Sequence, residues 1–523
     1  MTARPIDSLH TNAPHESQEA VFRFLADPET HKLSEPVRRV DTANAVVFLA
    51  GADVFKLKRA VKFPFMDLST LDKRRDACEA EIAVNRPLAP TIYLAALPIV
   101  RHGEAFAIEG DGEVVEWAVH MRRFDESATL DHVANRDGVS DAIIDKLALV
   151  IRRMHARAPI RDGARAAHSL ETYIDQNRAA FAERPDLFDP PTAGKLTDDS
   201  RRAFANVRPI LLERGEAGFV RRCHGDLHLR NIVLLEGQPT LFDAVEFSDE
   251  IATGDVLYDL AFLLMDLEER GLRAAANRLF NRYLAPEPPG AFAGLLALPL
   301  FLSLRASIRA KVEAANAERL EGDKRKEARA LAHRYFDCAV HFLVAAPPRL
   351  VAVGGLSGVG KSALAAALAP EIGRALGALW LRSDAERKVM FGVDETVHLP
   401  AAAYIGAVTH DVYERLVVKA RTALLAGQSV LLDATFAAAA ERSAVATVAK
   451  ELGVAFAGLF LNAPLATRLE RISARQADAS DADADVARRQ AAEPLSEKGW
   501  AAVVATGTVS DTLALARSHL DDG

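Results

Sequence analysis

The chain has 523 residues, of which 50% are hydrophobic and 26% charged, and its formal net charge is −8. This length exceeds one typical core of ~100–200 residues, so we expect two or three domains. The acidic balance disfavours a general nucleic-acid binder, and the three scattered cysteines favour neither a disulfide framework nor a zinc site. We expect no secretory signal and a cytoplasmic location, and the apolar run at residues 291–304 is predicted to be one buried helix, too short to span a bilayer.

The N-terminal part is predicted to be a small antiparallel sheet crossed by one helix. A short helix is expected at residues 17–25, and a charged helical stretch at residues 71–88 interrupts the strands. From residue 139, apolar residues recur at 3- and 4-residue spacing, so helices are expected to predominate to about residue 345. The predicted strands are residues 37–41, 45–50, 53–58, 92–100, 105–108 and 114–122.

The sequence HGDLHLRN, which ends at Asn231, precedes an apolar hairpin and then Asp243. Because the hairpin folds the chain back, we expect Asn231 and Asp243 to lie side by side, and two such oxygen ligands suit Mg²⁺. Asp226 would then face the reacting phosphate and accept a hydroxyl proton. The alternative is that these residues cap turns and that His224 is an ordinary core histidine.

This motif, with its hairpin and later aspartate, resembles the aminoglycoside phosphotransferase family, relatives of the eukaryotic protein kinases that phosphorylate small molecules. The resemblance covers roughly residues 35–345 and implies an α+β protein-kinase-like fold. It implies that Asp226 is the catalytic base and that Asn231 and Asp243 are metal ligands.

The same resemblance implies that a strand lysine pairs with a helix glutamate beside the nucleotide. By position these are Lys56 and Glu81, with Lys58 and Glu79 as alternatives. Residues 121–124 would form the hinge that holds the adenine. No G-x-G-x-x-G precedes the lysine strand, so the turn at residues 42–44 would cover the phosphates.

Pro347 and Pro348 are predicted to end the helical part and to divide the chain into domains 1–345 and 346–523. Beyond them, predicted strands alternate with helices, which is typical of an α/β domain whose parallel sheet is covered on both faces. The predicted strands are residues 350–353, 379–382, 429–433 and 455–461.

The stretch GLSGVGKS lies between the first of these strands and an Ala/Leu-rich helix, and it matches G-x-x-x-x-G-K-[ST] at each fixed position. Such a loop leaves backbone N–H groups free to wrap a phosphate chain, so we predict binding of ATP with Mg²⁺. Lys361 would reach the β- and γ-phosphates, and Ser362 would hold Mg²⁺. The alternative is a chance glycine-rich turn. The predicted nucleotide-binding residues are Gly355, Ser357, Gly358, Val359, Gly360, Lys361 and Ser362.

Three further features belong to this predicted site. Asp433 ends a strand, and the carboxyl end of a parallel strand faces the phosphates, so it would support Mg²⁺. Asp384 and Arg387 lie where an acceptor hydroxyl would meet the γ-phosphate, or they are an N-cap aspartate and a solvated arginine. A basic helical stripe would neutralise charge on a triphosphate or would be a solvated face, and it consists of Arg468, Arg471 and Arg475.

Residues 348–520 resemble P-loop kinases of the gluconate kinase, zeta-toxin and polynucleotide kinase type. The resemblance implies that Asp384 is the base for an acceptor hydroxyl, that Arg387 contacts the substrate and that the arginine helix, with Arg471, is a lid over the nucleotide. The fused order resembles a bacterial family of bifunctional aminoglycoside phosphotransferase/ATP-binding proteins.

We therefore expect an ATP- and Mg²⁺-dependent phosphotransferase with two nucleotide sites and small hydroxyl-bearing substrates, without membrane or nucleic-acid partners. The alternative is that one part is an active kinase and the other an ATP-binding regulatory module or ATPase. A third hypothesis, a role in antibiotic resistance, rests on the family name alone and is ranked last.

Overall fold

The computed structural model describes residues 15–63, 66–474 and 479–521, which form two compact units. The first unit contains the described parts of Met1–Gly138 together with Arg157–Pro159 and Arg221–Gly254. The second contains Val139–Ala156, Ile160–Val220 and the described parts of Asp255–Gly523. One predicted phosphate site falls within each unit. The division into domains at residue 345 stays a prediction.

An antiparallel six-stranded sheet of order β1-β2-β3-β8-β6-β7 forms the centre of the first unit. The sheet buries both faces, because Phe22 of the first helix packs with Phe48 on one face and Cys78 of the second helix packs with Tyr93 on the other. The predicted antiparallel sheet is therefore present, with strands close to the predicted bounds. The elements are α1 (His15–Ala26), β1 (Arg38–Asp41), β2 (Ala45–Ala50), β3 (Asp53–Lys58), β4 (Lys62–Phe63), β5 (Met66–Asp67), α2 (Leu71–Asn85), β6 (Tyr93–His102), β7 (Ala105–Ile108), β8 (Glu113–Arg122) and α3 (Leu130–Asp137).

Helices make up most of the chain between residues 139 and 345, interrupted by the β10–β11 hairpin that follows HGDLHLRN. The elements are α4 (Asp141–Arg157), α5 (Gly163–Ala182), α6 (Pro190–Glu216), β9 (Val220–Arg222), β10 (Ile232–Leu235), β11 (Gln238–Leu241), α7 (Asp249–Ala252), β12 (Thr253–Asp255), α8 (Val256–Glu269), α9 (Arg273–Leu284), α10 (Leu298–Glu318) and α11 (Gly322–Phe342).

The apolar run at residues 291–304 is not one helix, contrary to the prediction. It divides between a 3₁₀ helix, Pro289–Leu296, and α10, Leu298–Glu318. Pro299 lies in the first turn of α10, where its missing N–H has no intrahelical partner to lose, so the proline marks a helix start and not a helix interior. Within the described ranges no single helix is long and apolar enough to cross a membrane, although this bent pair passes that test by length and composition.

Residues 349–521 form five parallel strands in the order β14-β15-β13-β16-β17, with helices on both faces. The predicted parallel sheet is confirmed, and the sequence prediction missed its last strand, β17. The elements are β13 (Arg349–Gly354), α12 (Lys361–Leu368), β14 (Leu379–Arg382), α13 (Ser383–Met390), α14 (Gly406–Leu425), β15 (Val430–Asp433), α15 (Ala439–Leu452), β16 (Ala455–Asn462), α16 (Leu465–Ser473), α17 (Ala484–Arg489), β17 (Trp500–Val504) and α18 (Val509–Asp521).

Leu431 tests the importance of this sheet for stability, because it is fully buried in the core that joins β13, β15 and α12. We expect Leu431→Ala to lower the free energy of unfolding by about 2–5 kcal/mol, since it leaves a cavity between packed layers. Leu425 at the end of α14 is 68% exposed and provides the control, with an expected change within about 0.5 kcal/mol for Leu425→Ala. Urea unfolding measures both values, and equal losses in the two variants would contradict the assignment.

Candidate active sites

A cluster of buried ion pairs lies on β3 of the first unit. Lys56 Nζ is 2.8 Å from Glu81 Oε1 and 3.2 Å from Asp243 Oδ1. Lys58 Nζ is 2.5 Å from the second carboxylate oxygen of Glu81. The predicted pair of Lys56 and Glu81 is thus brought together, and Lys58 shares the same carboxylate. Glu79, the other candidate, is exposed and pairs with Arg75.

The charges of this cluster are stabilised by one another. Burial alone lowers the pKa of Lys56, but the carboxylates of Asp243 and Glu81 raise it well above its ordinary value. Burial alone raises the pKa of Glu81, but Lys56 and Lys58 bring it below its ordinary value. Lys56 therefore stays protonated at neutral pH and has a fixed position, as a phosphate-binding cation requires.

The segment 224–231 folds back on the β10–β11 hairpin. His224 Nε2 is 3.0 Å from the carbonyl oxygen of Phe242, a contact that braces this segment against the hairpin. Asn231 Nδ2 donates to Asp226 Oδ2 at 3.0 Å and to the Asp226 carbonyl at 2.9 Å. The backbone N–H of Phe242 donates to the Asn231 carbonyl, so Asn231 and Asp243 flank the same end of the hairpin.

These side chains form a donor set that fits Mg²⁺, a cation that prefers oxygen ligands. Asn231 uses its nitrogen to hold Asp226, so its side-chain carbonyl oxygen is the atom suited to a cation. Asp243 adds a carboxylate that is 46% exposed on its side chain, with one oxygen beside Lys56. Its backbone has a φ of 58°, a conformation that aspartate tolerates better than most residues, and its N–H donates to the hydroxyl of Tyr93.

The predicted hinge, residues 121–124, begins in the last two residues of β8 and continues beyond the strand. The N–H of Arg122 donates to the Ile92 carbonyl, and the N–H of Arg123 donates to the Ala52 carbonyl. The ring of Phe124 meets that of Phe242 edge to face at 5.1 Å. These contacts join the hinge segment to both the sheet and the hairpin within the first unit.

The loop between β13 and α12 has the backbone geometry that its glycines allow. Gly355 and Gly358 have φ values of 135° and 80°. A Cβ atom on Gly355 would lie 2.7 Å from the Leu461 carbonyl oxygen, and one on Gly358 would lie 2.5 Å from that of Arg468. Side chains at these two positions are therefore excluded by both strain and contact.

The metal-ligand residues predicted beside this loop also meet. Ser362 Oγ donates to Asp433 Oδ2 at 2.7 Å, and Asp433 pairs in register with Val353 on the neighbouring strand. Burial raises the pKa of Asp433, although Lys361 and Arg382 act in the opposite direction. A hydroxyl and a carboxylate oxygen side by side next to a phosphate loop again fit Mg²⁺.

A cavity of about 990 Å³ contains the loop together with Asp384 and Arg387. Arg387 is not solvated, because it is 5% exposed, donates to the Ala403 carbonyl at 2.6 Å and lies 4.8 Å from the ring of Tyr404. Asp384 is the second residue of α13, whose N-cap is Arg382, so Asp384 is not the N-cap. Both residues line the cavity, Arg387 as a buried side chain and Asp384 as a half-buried one.

The basic stripe on α16 lies against the phosphate loop. Arg468 is 7% exposed and reaches the Ser357 carbonyl at 3.5 Å. Arg471 Nη1 donates to the carbonyls of Val359 at 2.9 Å and Ala505 at 2.8 Å. These two arginines brace the loop through its backbone, so the solvated alternative is wrong for them. Arg475 lies outside the described residues.

Two polar residues of this site were missed by the sequence analysis. Gln490 accepts a 2.8 Å hydrogen bond from the N–H of Ser357, and the two residues are 133 positions apart, so no sequence signal joins them. Arg382 Nε lies 4.0 Å from Asp433 Oδ2 because the two residues pair in register at the ends of β14 and β15. The rule that carboxyl ends of parallel strands meet would have identified Arg382.

Comparisons with known proteins agree that the chain consists of two different parts. A family model described as "Phosphotransferase enzyme family" matches residues 67–295, and one described as "AAA domain" matches residues 350–494. Uncharacterized protein Rv2004c of Mycobacterium tuberculosis and Uncharacterized protein Mb2027c of Mycobacterium bovis are each 30% identical over 460 residues, covering 86% of this chain and 89% of the relative. The chain belongs to the family of these proteins.

In this chain an aminoglycoside phosphotransferase-type part precedes a P-loop kinase-type part, which confirms both resemblances found in the sequence. Solved structures similar to single parts include a gluconokinase from Sinorhizobium meliloti, with 20% identity, a TM-score of 0.25, and coverage of 34% of this chain and 94% of that one. A choline/ethanolamine kinase family protein from Mesorhizobium loti has 15% identity, a TM-score of 0.35, and coverage of 62% and 98%. The two kinase-like parts imply ATP-dependent phosphotransfer.

Because Lys56 and Lys58 share the carboxylate of Glu81, we expect the stability of the folded chain to depend on pH. The pKa of Glu81 is lower in the folded chain, so its contribution is present above the ordinary value of about 4.3 and is lost as the pH falls towards the folded value. We expect Glu81→Gln to cost about 3–5 kcal/mol at pH 7, because two buried lysines lose a common partner. The difference between wild type and variant shrinks below about pH 4, as urea unfolding between pH 7 and pH 3 will measure.

Glu79→Gln is the matched control, since Glu79 lies on the same helix and pairs with Arg75 at the surface. Its expected cost is below about 1 kcal/mol at every pH. A Glu79→Gln loss equal to that of Glu81→Gln, or a Glu81→Gln loss that does not change with pH, would show that the buried cluster has a different basis.

Proposed function

We propose that this protein is an ATP-dependent phosphotransferase with two nucleotide sites, each transferring the γ-phosphoryl group to a hydroxyl group of a small molecule. The observation that carries the proposal is the repetition of one chemical set in two units. A lysine for phosphate lies beside two oxygen ligands for Mg²⁺ in each, Lys56 with Asn231 and Asp243, and Lys361 with Ser362 and Asp433.

In the first unit Asp226 is the proposed base. Its carboxylate is oriented by the Asn231 amide and takes the proton of the acceptor hydroxyl as that oxygen forms its bond to the γ-phosphorus. The bond from the γ-phosphorus to the β–γ bridging oxygen breaks, and ADP leaves. Lys56 holds the phosphates in line for this exchange. Mg²⁺ bound by Asn231 and Asp243 would neutralise phosphate charge.

In the second unit the backbone amides of the phosphate loop and Lys361 would hold the nucleotide. Asp384 is the proposed base for the acceptor, and Arg387 is its proposed contact, because both line the same cavity as the loop. The buried position of Arg387 supports a role inside the site. Arg471 would act on the nucleotide through the loop backbone that it braces.

The alternative of a regulatory P-loop part is favoured by one observation. Arg387 already donates to Ala403 and lies on Tyr404, so part of its hydrogen-bonding capacity is used within the protein. Under this alternative the second unit binds or hydrolyses ATP without an acceptor. The cytoplasmic location and the absence of membrane and nucleic-acid partners stay predictions from the sequence.

Variants of the full-length protein separate the two sites. In an assay of ADP release with a panel of hydroxylated metabolites, we expect Asp226→Ala to lower turnover of one set of acceptors by ~10²–10⁴, since it removes the base. Lys361→Ala should abolish turnover of a second set and leave the first set unchanged. The control is Asp137→Ala, an exposed carboxylate of the first unit.

The outcomes of this assay are distinct. Loss of turnover in Asp226→Ala alone supports the alternative in which the P-loop part is regulatory. If neither variant changes turnover with any acceptor, the proposed function is wrong.

A further inference from the structure

Helix α9 covers the open edge of the P-loop sheet within the second unit. Strand β14 is the outermost strand on its side and pairs with β15 on its inner edge. Its outer backbone groups would have no strand partner, and buried backbone groups without partners are costly. Two asparagines of α9, Asn277 and Asn281, are 3% and 5% exposed and face this edge.

The side chains of these two asparagines hydrogen-bond to backbone groups at the edge, where a neighbouring strand would otherwise bond. Asn281 Oδ1 accepts from the N–H of Trp380 at 2.6 Å, and Asn281 Nδ2 donates to the Ala378 carbonyl at 3.2 Å. Asn277 Nδ2 donates to the carbonyls of Leu376 at 2.6 Å and Ala378 at 3.0 Å. Asn277 and Asn281 are four residues apart, so they lie on one face of α9 and hydrogen-bond to successive backbone groups along the edge.

A line of charges continues this contact towards the phosphate site. Arg282 on α9 donates to Glu395 Oε2 at 2.5 Å. Arg382 at the end of β14 lies 3.5 Å from the same carboxylate and 4.0 Å from Asp433. Arg278, one turn earlier on α9, pairs with Asp141 and Asp145 of α4. Arg282 shares Asp145, so among the described hydrogen bonds and ion pairs the two arginines differ in the link of Arg282 to Glu395.

A third contact fixes the end of α9. Lys419 of α14, fully buried, donates to the Ala285 carbonyl at 2.8 Å, next to the last turn of α9. The same ammonium group pairs with Glu386 on α13. A cation at a helix C-terminus is favoured by the unpaired carbonyls there, so α9 and α13 are held by one lysine.

These contacts reach one side of the phosphate site only. The phosphate loop lies between β13 and α12 in the middle of the sheet, where α9 has none of the contacts described above. The edge strand β14 and helix α13 carry Arg382, Asp384 and Arg387, the residues on the acceptor side of the cavity. Asp433, the metal-ligand candidate near Arg382, is held separately by Ser362 and by its pairing with Val353. We therefore expect support from α9 to bear on the acceptor side more than on nucleotide binding.

We propose that Asn281 and Arg282 are positioning residues of the P-loop site, which hold β14 and α13 so that the acceptor-side groups meet the γ-phosphate. The proposal rests on the proposed function of this site. It makes the helical segment before residue 345 a structural part of the second phosphate site. Neither residue lines the cavity that contains the phosphate loop.

The test uses the full-length chain in a Lys56→Ala background, which removes the phosphate lysine of the first site. Asn281→Ala and Arg282→Ala are compared with Arg278→Ala, the matched control on the same helix. Three quantities are measured: amide hydrogen exchange of residues 379–390 and 350–368, the Kd of ATP with Mg²⁺, and the rate of ADP release with the Lys361-dependent acceptor, or with water where no acceptor is found.

We expect Asn281→Ala to speed exchange in residues 379–390 by roughly tenfold, because the N–H of Trp380 loses its partner, with little change in residues 350–368. The Kd of ATP should stay within about twofold while ADP release falls by ~10-fold or more, since misplaced groups reduce the rate without weakening nucleotide binding. Arg282→Ala should act in the same direction, Arg282→Lys should recover part of the rate, and Arg278→Ala should change none of the three quantities.

Two results would overturn the proposal. One is an equal effect of Arg278→Ala, which would make α9 a general support. The other is unchanged exchange in residues 379–390, or a Kd that weakens as much as the rate falls. Failure of the proposed function gives a separate result: the parent Lys56→Ala protein would then bind ATP without acceptor-dependent ADP release, whatever the exchange data show.

Discussion

Opposite charges held at hydrogen-bond distance around the buried Glu81 carboxylate underlie the phosphate site of the first unit. A lysine buried alone would lose its proton, and a carboxylate buried alone would gain one, so neither would present a fixed charge to a ligand. In the first unit Glu81 serves two lysines at once, and Asp243 completes the set around Lys56. Orienting a phosphate chain therefore depends on groups that were charged and placed before any nucleotide arrives.

The two units position their phosphate-site side chains with different backbone arrangements. The first uses a hairpin, which brings Asn231 and Asp243 to one end through antiparallel pairing. The second uses parallel strands, whose carboxyl ends place Asp433 next to the phosphate loop. In both, the strands set the positions of the ligand side chains, and a short loop supplies the remaining contacts. The similarity between the two sites thus lies in their chemistry and not in their folds.

Much of this arrangement was predictable, because the decisive signals are local in sequence. The phosphate loop, the HGDLHLRN segment and the strand bounds depend on spacing and periodicity, and the structure places them as expected. The prediction of one helix over residues 291–304 was wrong, since a proline such as Pro299 inside an apolar run does not by itself show that a helix begins there. Gln490 and Asn281 could not be found, because their partners are distant in the chain and a lone amide side chain has no pattern.

The two asparagines of α9 that bond to the edge of the sheet have a further consequence for the behaviour of the chain in solution. An uncovered edge strand is a template for another strand, and proteins that leave one open are prone to self-association. Asn281 accepts from the N–H of Trp380 on β14, and Asn277 donates to the carbonyls of Leu376 and Ala378 just before that strand. These backbone groups are occupied by side chains, which cannot propagate a sheet, and the helix that covers them is encoded before the sheet, so it emerges from the ribosome first.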